Sequence, residues 1–575
     1  MTRERYLAIV GHGARPLPSA LVDRITARFD AIGLVRTAIG NGLVIYSDRT
    51  LPIIAGKHVV VVGQVFGSTA PLSLEAIDAS HLTTQCWGNY LAFGLSPDGP
   101  VGWVLRAPMG HLPALRTQTD ELTILASGAD LLVDALEIVP RIDWAFCATH
   151  IACQHFVTST TGIEGIDELL GGECFQREAD GTWQRQTVWS PWQWTTIDRE
   201  IGDFEEAART LRSRVEDAVR CLTENGGPYL LELSGGVDSS VLAAALAAAG
   251  TKARAATLVT GTAEGDERHY ARASARATGL TLDELQIRGA FDLTGTTQGR
   301  LARPGLPVAL AQADDALAAQ GRSAGITAFV SGSGGDCVLC SAVSAAPAVD
   351  AIRRCGIGET AWNTIDALAR IHHTNIWSVA RMAWQQARSG PLHSRWQIVP
   401  GLLAADRVPA TAPEHPWFDE PAHVLPGKRS HVRGVLASLA HVDGFGRHTV
   451  APSRFPLLSQ PVVETAMRIP SWLWVSEGRD RAVARHAWRD ILPPVVLERR
   501  TKGGLDTYAI EAVIRSRSDL HSFLLEGHLA ANEVIDRQKV DAALNRPVRR
   551  TDPAAYQLLQ LADVETWARA WIGPP

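Results

Sequence analysis

The segment Leu231–Ser240, with the sequence LELSGGVDSS, has the composition of a loop that binds phosphate groups. Gly235 and Gly236 have no Cβ atom, so the backbone can approach an anion closely. Three serines supply hydroxyl donors, and a following helix would add its favourable N-terminal dipole. The spacing differs from that of a Walker A loop, whose terminal lysine is missing. The pattern therefore predicts a pyrophosphate-binding loop of a different type.

A carboxylate is out of place in a loop that binds only anions, which makes Asp238 informative. It makes sense if the side chain holds Mg²⁺ that bridges the phosphates. A second glycine turn, Ser331–Asp336, follows the predicted strand Thr327–Val330. Ligands of open parallel sheets bind beyond the carboxyl ends of strands, so the two turns can face one crevice. Asp238 and Asp336 are then a predicted Mg²⁺ pair. In the alternative interpretation, both carboxylates merely cap helices.

The first ~195 residues are predicted to be rich in β-strands, because short apolar runs alternate there with turn residues. Examples of predicted strands are Tyr6–Val10, Gly42–Tyr46, His58–Val65, Asn89–Leu95, Gly102–Arg106 and Leu122–Ala126. A tryptophan-rich stretch from Trp183 to Trp194 follows, and we interpret it as a hydrophobic patch that seals a domain junction.

From about residue 197 the pattern changes to strands that alternate with helices, which indicates a doubly wound parallel sheet. The predicted strands are Tyr229–Leu233, Ala253–Val259 and Thr327–Val330, and the predicted helices are Phe204–Glu224, Ser239–Ala249 and Asp266–Thr278. The remainder, from Ala345 to Trp571, is predicted to be mainly helical. The fold class is therefore α/β, with a β-rich N-terminal part and a helical C-terminal part.

Length and composition limit the function classes. A chain of 575 residues suggests two or three domains, and its net charge of −6 argues against a general nucleic-acid binder. No apolar run approaches the ~20 residues of a membrane-spanning helix, and the first residues lack a secretory signal. Eight scattered cysteines suit a reducing compartment, so we expect a cytoplasmic enzyme. The pair Cys337 and Cys340 is interpreted as helix packing.

The chain resembles the asparagine synthetase superfamily. Ser234–Ser240 is similar to its SGGxDSS pyrophosphate loop, and Ser331–Asp336 resembles its second nucleotide loop. Asp266–Ala271 and Phe455–Glu464 are similar to further segments of that superfamily. The resemblance implies ATP and Mg²⁺ as cofactors, with Asp238 and Asp336 as metal ligands. The implied nucleotide-binding residues are Leu233, Ser234, Gly235, Gly236, Asp238, Ser239, Ser240, Ser331 and Gly332.

The N-terminal part is more weakly similar to the glutaminase domain of the same superfamily. Arg106–Pro113 echoes its RDxxGxxPL segment, and Leu170–Trp194 echoes the stretch that leads out of it. The family's nucleophilic cysteine is replaced by Thr2, and its NGE segment is replaced by 62–64, with the sequence VGQ. These departures imply a degenerate amidotransferase-like domain over residues 1–195, without glutaminase activity, and a ligase domain over residues 205–575.

Within the superfamily, Gly478–Arg485 and Arg499–Gly504 are most similar to the lasso peptide cyclases. Ser333 stands where asparagine synthetases carry Glu and β-lactam synthetases carry Tyr. The resemblance implies adenylation of an Asp or Glu side chain of a leaderless precursor peptide, followed by attack of the peptide's N-terminal amine to form a macrolactam. Asp238, Asp336 and Lys502 are the implied catalytic residues, with Lys502 reaching the pyrophosphate or the developing oxyanion. The implied partners are the precursor core peptide, a leader peptidase and a leader-recognition protein, with no nucleic acid and no membrane.

Two alternatives remain open. An amide ligase closer to asparagine synthetase would use free ammonia or a small amine. A non-catalytic scaffold would keep the fold and bind a partner peptide. The presence of Asp238, Asp336 and Lys502 argues against a scaffold.

Overall fold

The computed structural model describes most of the chain. The described residues are 4–12, 17–39, 42–49, 51–56, 58–67, 78–96, 101–119, 121–154, 156–178, 182–224, 226–261, 265–287, 293, 299–341, 344–388, 396–500, 506–546 and 553–575.

The described residues up to Thr187 build two antiparallel sheets of six strands each, in the orders β10-β8-β9-β1-β3-β2 and β12-β11-β7-β6-β5-β4. The strands are β1 Tyr6–Gly11, β2 Val35–Ile39, β3 Leu43–Ser47, β4 Ile53–Ala55, β5 Val59–Gly67, β6 Cys86–Leu95, β7 Val101–Arg106, β8 Leu115–Gln118, β9 Leu122–Ala126, β10 Asp167–Glu168, β11 Glu173–Arg177 and β12 Trp183–Thr187. All six predicted strands are confirmed, with bounds within three residues of the prediction.

Alternation of side chains along these strands explains how the two sheets are packed. Ala8 and Val10 of β1 point to a core shared with Val60 and Phe93 of the other sheet. The residue between them, Ile9, points to the opposite face, where helices cover the sheet. The helices of this region are α1 Ser19–Asp30, α2 Ala79–Gln85, α3 Ala129–Leu136 and α4 Trp144–Ala152.

The second region begins with α5 (Phe204–Leu222) and contains an all-parallel sheet of order β15-β14-β13-β16-β17. Its strands are β13 Tyr229–Glu232, β14 Ala253–Val259, β15 Thr281–Gln286, β16 Ala328–Val330 and β17 Ser453–Arg454. The helices between them are α6 Val237–Ala248, α7 Arg268–Thr278, α8 Ala311–Ala324 and α9 Gly335–Val338. The predicted parallel α/β sheet is confirmed, with β13 and β16 as neighbours near its centre.

The rest of the chain is mainly helical, as predicted. Its helices are α10 Ala346–Cys355, α11 Glu359–Ile371, α12 Ile376–Arg388, α13 Pro426–Ser438, α14 Gln460–Arg468, α15 Ala482–Ala487, α16 Pro494–Leu497, α17 Asp506–Arg515, α18 Arg517–Leu525, α19 His528–Ala531, α20 Arg537–Asn545 and α21 Pro553–Ile572. None of the helices in the described ranges combines the length and hydropathy that crossing a bilayer requires.

The later part of the tryptophan-rich stretch, from Trp189 to Trp194, lies between the N-terminal sheets and the second region, as the sequence predicts, whereas Trp183 belongs to β12 and stacks on Phe175. The indole N–H of Trp189 donates to Glu464 Oε1 at 2.8 Å, and that of Trp192 donates to the Trp417 carbonyl at 2.9 Å. Gln460 also donates to Glu464 Oε1, at 2.8 Å, and to the Thr83 carbonyl at 2.7 Å. The stretch therefore joins the two regions through buried indoles and one carboxyl group.

Replacing Glu464 by Gln is expected to change how stability depends on pH. Burial raises the pKa of Glu464 to about 7, so the folded protein keeps a proton that the unfolded chain loses near pH 4.5. Wild-type stability therefore falls as pH rises from about 4.5 to about 7. The glutamine of the variant would still accept from Trp189 through its amide oxygen and does not titrate. Denaturant unfolding of both proteins at pH 5 and pH 8 should show the variant gaining relative stability at pH 8, and an unchanged difference would contradict this expectation.

We propose that the domain division lies between residues 195 and 205, where the antiparallel sheets have ended and α5 is about to begin. The two parts nevertheless share a hydrophobic cluster. Phe146 of α4 belongs to the same cluster as Leu520 of α18 and Trp567 of α21. The last helices of the chain thus pack against the N-terminal part.

Candidate active site

The two glycine loops lie side by side because β13 and β16 are paired in parallel, with Leu231 opposite Val330. Their carboxyl ends therefore meet at one edge of the sheet. A Cβ atom added to Gly335 would lie 2.6 Å from the Asp238 Cβ, and one added to Gly332 would lie 3.3 Å from the Ser239 nitrogen. Gly335 has no room for a side chain and Gly332 has little, and this close approach brings the two predicted metal carboxylates into one crevice.

The first loop enters α6 earlier than the sequence predicts. The helix begins at Val237, not at Ser239, because Gly236 takes an extended N-cap conformation with φ −71° and ψ 165°. Asp238 and Ser239 consequently lie in the first helical turn, where backbone N–H groups lack helical acceptors. Ser234 Oγ accepts from the Gly236 N–H at 3.3 Å and lies 3.2 Å from Ser239 Oγ. The loop thus forms a compact cup of N–H and hydroxyl groups.

Two of the predicted nucleotide-binding residues, Gly235 and Ser240, lie behind these N–H and hydroxyl groups. Gly235 has φ +72°, and a Cβ there would lie 2.4 Å from the backbone nitrogen of Ala271 in α7. Ser240 is fully buried, and its hydroxyl shares a hydrogen bond of 2.8 Å with that of Ser274. Both residues therefore hold the loop against α7, whereas their neighbours face the crevice.

A cavity of about 1030 Å³ opens above the two loops. Its lining includes seven of the predicted nucleotide-binding residues: Leu233, Ser234, Gly236, Asp238, Ser239, Ser331 and Gly332, together with Asp336. The opposite wall comes from the helical part of the chain and includes Pro347, His372, His431 and His441. The cavity is therefore much larger than the phosphate-facing loops alone would enclose.

Arg481 connects the two carboxylates across the crevice. Its guanidinium lies 3.2 Å from Asp238 Oδ1, contacts Asp336 Oδ1, and donates to Asp480 Oδ2 at 2.7 Å. The residue has φ +52°, in the left-handed region, and its side chain is 11% exposed. Sequence reasoning included Arg481 only within the Gly478–Arg485 resemblance and gave it no role. Its partners lie 145 and 243 residues away, so spacing alone could not reveal them.

Arg485 extends this network toward the segment that precedes Lys502. Its guanidinium bonds to Asp480 Oδ1 at 3.1 Å, and it donates to the carbonyls of Leu497 at 2.8 Å and Arg499 at 3.0 Å. Arg499 in turn pairs with Glu267, and its guanidinium lies 4.0 Å from the centre of the Tyr270 ring. The chain entering residues 501–505 is thereby fixed to the wall of the cavity. Lys502 itself lies outside the described residues.

The site fits a magnesium ion that is shared with phosphate. Asp238 and Asp336 offer hard oxygen ligands at one place, and the Arg481 cation between them shows that positive charge is favoured there. Within the described ranges, no group of three or more His, Cys, Asp or Glu side chains is placed to hold a metal ion. Mg²⁺ commonly uses one or two carboxylates and completes its octahedron with water and substrate phosphates. Two carboxylates are therefore enough for a nucleotide-linked ion.

Comparison with known proteins assigns the chain to a family. The family model of asparagine synthase matches residues 210–569, and the chain therefore belongs to the asparagine synthase family, whose members are ATP-dependent C–N ligases. No curated protein matches the chain. Among solved structures, one described as "structure of the allosteric regulatory enzyme of purine biosynthesis" is 10% identical and covers 51% of this chain and 76% of its own, with a TM-score of 0.18. A score that low supports no argument about this fold.

Proposed function

We propose that this ligase closes a macrolactam ring in a lasso-type peptide. It would adenylate an Asp or Glu side chain of a leaderless precursor and join that side chain to the peptide's N-terminal amine. ATP is consumed, and AMP and pyrophosphate are released. A leader peptidase and a leader-recognition protein would supply the precursor.

The observation that supports this proposal best is the size and lining of the cavity. Sites for a single drug-sized ligand have volumes of roughly 300–1,000 Å³. The cavity of about 1030 Å³ leaves room beside a nucleotide, and its far wall is built by helices and not by the nucleotide loops. A substrate larger than free aspartate and ammonia fits that space.

The replacement of the glutaminase nucleophile by Thr2 supports the same proposal. An enzyme that takes its amine from the substrate peptide needs no ammonia source. Holding the carboxylate and the amine of one peptide together also raises their effective concentration, which would supply much of the second step.

The first step breaks the bond between the α- and β-phosphates of ATP. A carboxylate oxygen of the peptide attacks the α-phosphorus, and pyrophosphate leaves. The N–H groups and hydroxyls of the first loop would bind the pyrophosphate, and Asp238 and Asp336 would hold Mg²⁺. Bound Mg²⁺ would neutralise charge on the phosphates.

In the second step the amine nitrogen attacks the acyl carbon, AMP leaves with the bonding electron pair, and the amine gives up a proton to solvent water. We propose that Lys502 stabilises the developing negative charge, since an ammonium group suits that task. Arg485 and Arg499 position the chain that leads to it.

The test is mass spectrometry of candidate precursor peptides incubated with the enzyme, ATP and Mg²⁺. The peptides carry N-terminal Gly and an Asp or Glu some residues later. We expect a product that has lost one water, together with release of pyrophosphate. Peptides with an acetylated N-terminus serve as the control and should form the adenylate but no ring.

Other results would point elsewhere. Pyrophosphate exchange with free aspartate, followed by amide formation from ammonia, would identify an ammonia-dependent amide ligase. Failure to bind ATP at all would identify a non-catalytic scaffold. Either result would contradict the proposed ring closure.

A further inference from the structure

Helices α11 and α12 expose tryptophans in a protein that buries most of its aromatic side chains. Trp377 is 71% exposed, Trp384 is 59% exposed and Trp362 is 46% exposed. Every tryptophan that the structure describes outside these two helices is buried or half-buried. Exposed tryptophans on one element are typical of a surface that is covered by a partner.

The exposed residues of α12 follow helical spacing. Trp377, Arg381, Trp384 and Arg388 are separated by four, three and four residues, so they lie on one side of the helix. Val379 and Ala383 are buried on the other side. We call the four exposed residues the Trp–Arg face.

Cations and indoles are in contact on this face. The Arg388 guanidinium lies 4.5 Å from the centre of the Trp384 ring. Arginine and tryptophan together are enriched among the residues that contribute most to binding at protein interfaces. The stacked pair is also pre-ordered, which lowers the entropy lost on binding.

The charged side chains of α12 itself are all cationic, whereas the carboxylate of α11 nearest in sequence, Asp366, is paired with Arg370 of the same helix. Helix α12 contains no Asp or Glu, and Arg353 of α10 lies alongside it, donating to the Ala387 carbonyl at 3.0 Å. A complementary partner would therefore carry carboxylates to pair with the arginines and apolar side chains to cover the indoles.

The Trp–Arg face is continuous with the proposed active site along the chain. Ile371 and His372, at the end of α11, line the cavity, and α12 begins at Ile376. Trp377 thus follows the cavity wall by only a few residues. A polypeptide bound in the cavity would contact the end of α11, and the Trp–Arg face follows that point after a few residues.

We propose that the Trp–Arg face binds an acidic, apolar-rich segment of the peptide substrate that extends outside the cavity. The inference rests on the proposed function, because it takes the partner to be the same peptide. The face would hold the substrate by Trp377 and Trp384, while Arg381 and Arg388 select for negative charge.

The experiment measures equilibrium binding by fluorescence anisotropy, with the full chain and without ATP. The probes are a labelled synthetic peptide of alternating Glu and Leu or Phe residues and a matched peptide in which Lys replaces every Glu. We expect the acidic peptide alone to bind. The double variant Trp377→Ala/Trp384→Ala should bind it about tenfold or more weakly. Arg381→Glu/Arg388→Glu should reverse the preference for charge.

The control variant is Ile197→Ala/Arg209→Ala, which removes exposed side chains on another surface. It should bind like the wild type, and all variants should keep wild-type thermal unfolding and ATP binding. Equal binding of both peptides, or unchanged binding by the double tryptophan variant, would overturn the proposal. So would binding to phosphatidylglycerol vesicles with none to the acidic peptide, or self-association that the double variant abolishes. Because ATP is omitted, failure of ring closure would leave this measurement unaffected.

Discussion

Replacing Asp238 by Asn is expected to lower the rate of ATP–pyrophosphate exchange on the order of a thousandfold, because the variant loses a proposed ligand for the Mg²⁺ that would neutralise phosphate charge. Asp336→Asn should have a similar effect. Both variants should also lose Mg²⁺-dependent ATP binding, measured by isothermal titration without any peptide. The binding measurement distinguishes a carboxylate that binds Mg²⁺ from one that acts only in the reaction step.

The structure supplies a matched control for these variants. Asp480 also contacts the Arg481 guanidinium but lies outside the predicted metal pair. Asp480→Asn perturbs the same cation, while Arg485 keeps its bonds to the Leu497 and Arg499 carbonyls, so exchange should stay within about tenfold of wild type. Folding should survive each single change, since Arg481 keeps two of its three carboxylate partners. Equal losses in the Asp238 and Asp480 variants would show that Arg481, and not a metal ion, explains the effect.

Replacing Gly235 by Ala should destabilise the protein by about 3 kcal/mol or more. Gly235 has φ +72°, a conformation that costs an L-residue energy, and the new Cβ would meet the backbone of Ala271 and Tyr270 at 2.4 and 2.5 Å. Backbone atoms cannot rotate away as a side chain can, so the loop or α7 must shift. We expect a lower midpoint of urea unfolding and weaker ATP binding together.

Gly250→Ala isolates the conformational part of that cost. Gly250 has φ +64°, but an added Cβ there would meet no atom within 4 Å. This control should lose only about 1 kcal/mol and keep normal ATP binding. If the two variants were equally stable, the close approach of Gly235 to α7 would not matter for the loop.

The sequence predicted much of the fold because local patterns were strong. Short apolar runs between turn residues predicted β1 and β5, and strands alternating with helices predicted the parallel sheet. It did not predict β15, whose sequence TLDELQ carries two carboxylates. That strand lies at the edge of the sheet and is only half-buried, so it lacks the apolar run of the inner strands. The two-residue strand β17 has too few residues to form any pattern.

The candidate site was predictable as far as its motifs extend. Asp238 and Asp336 could be paired from sequence because both follow strands of one sheet. The contacts of Arg481 and the inward direction of Ser240 could not, since both depend on elements distant in the chain. Ser240 and Ser239 are adjacent and chemically identical, but the turn of the helix sends one to Ser274 and the other to the cavity. The role of Lys502 stays a prediction, because this residue lies outside the described part of the chain.

The hydrophobic cluster that joins α4 to α18 and α21 ties the two ends of the chain together. A polypeptide cut between residues 195 and 205 would leave Phe146 on one fragment and Trp567 on the other, and each fragment would expose the part of the cluster that the other covers. We therefore expect each fragment alone to be less stable than the same residues in the full chain. The β-rich N-terminal part thus supplies apolar surface that covers helices of the ligase part, which gives it a structural role that needs no glutaminase nucleophile.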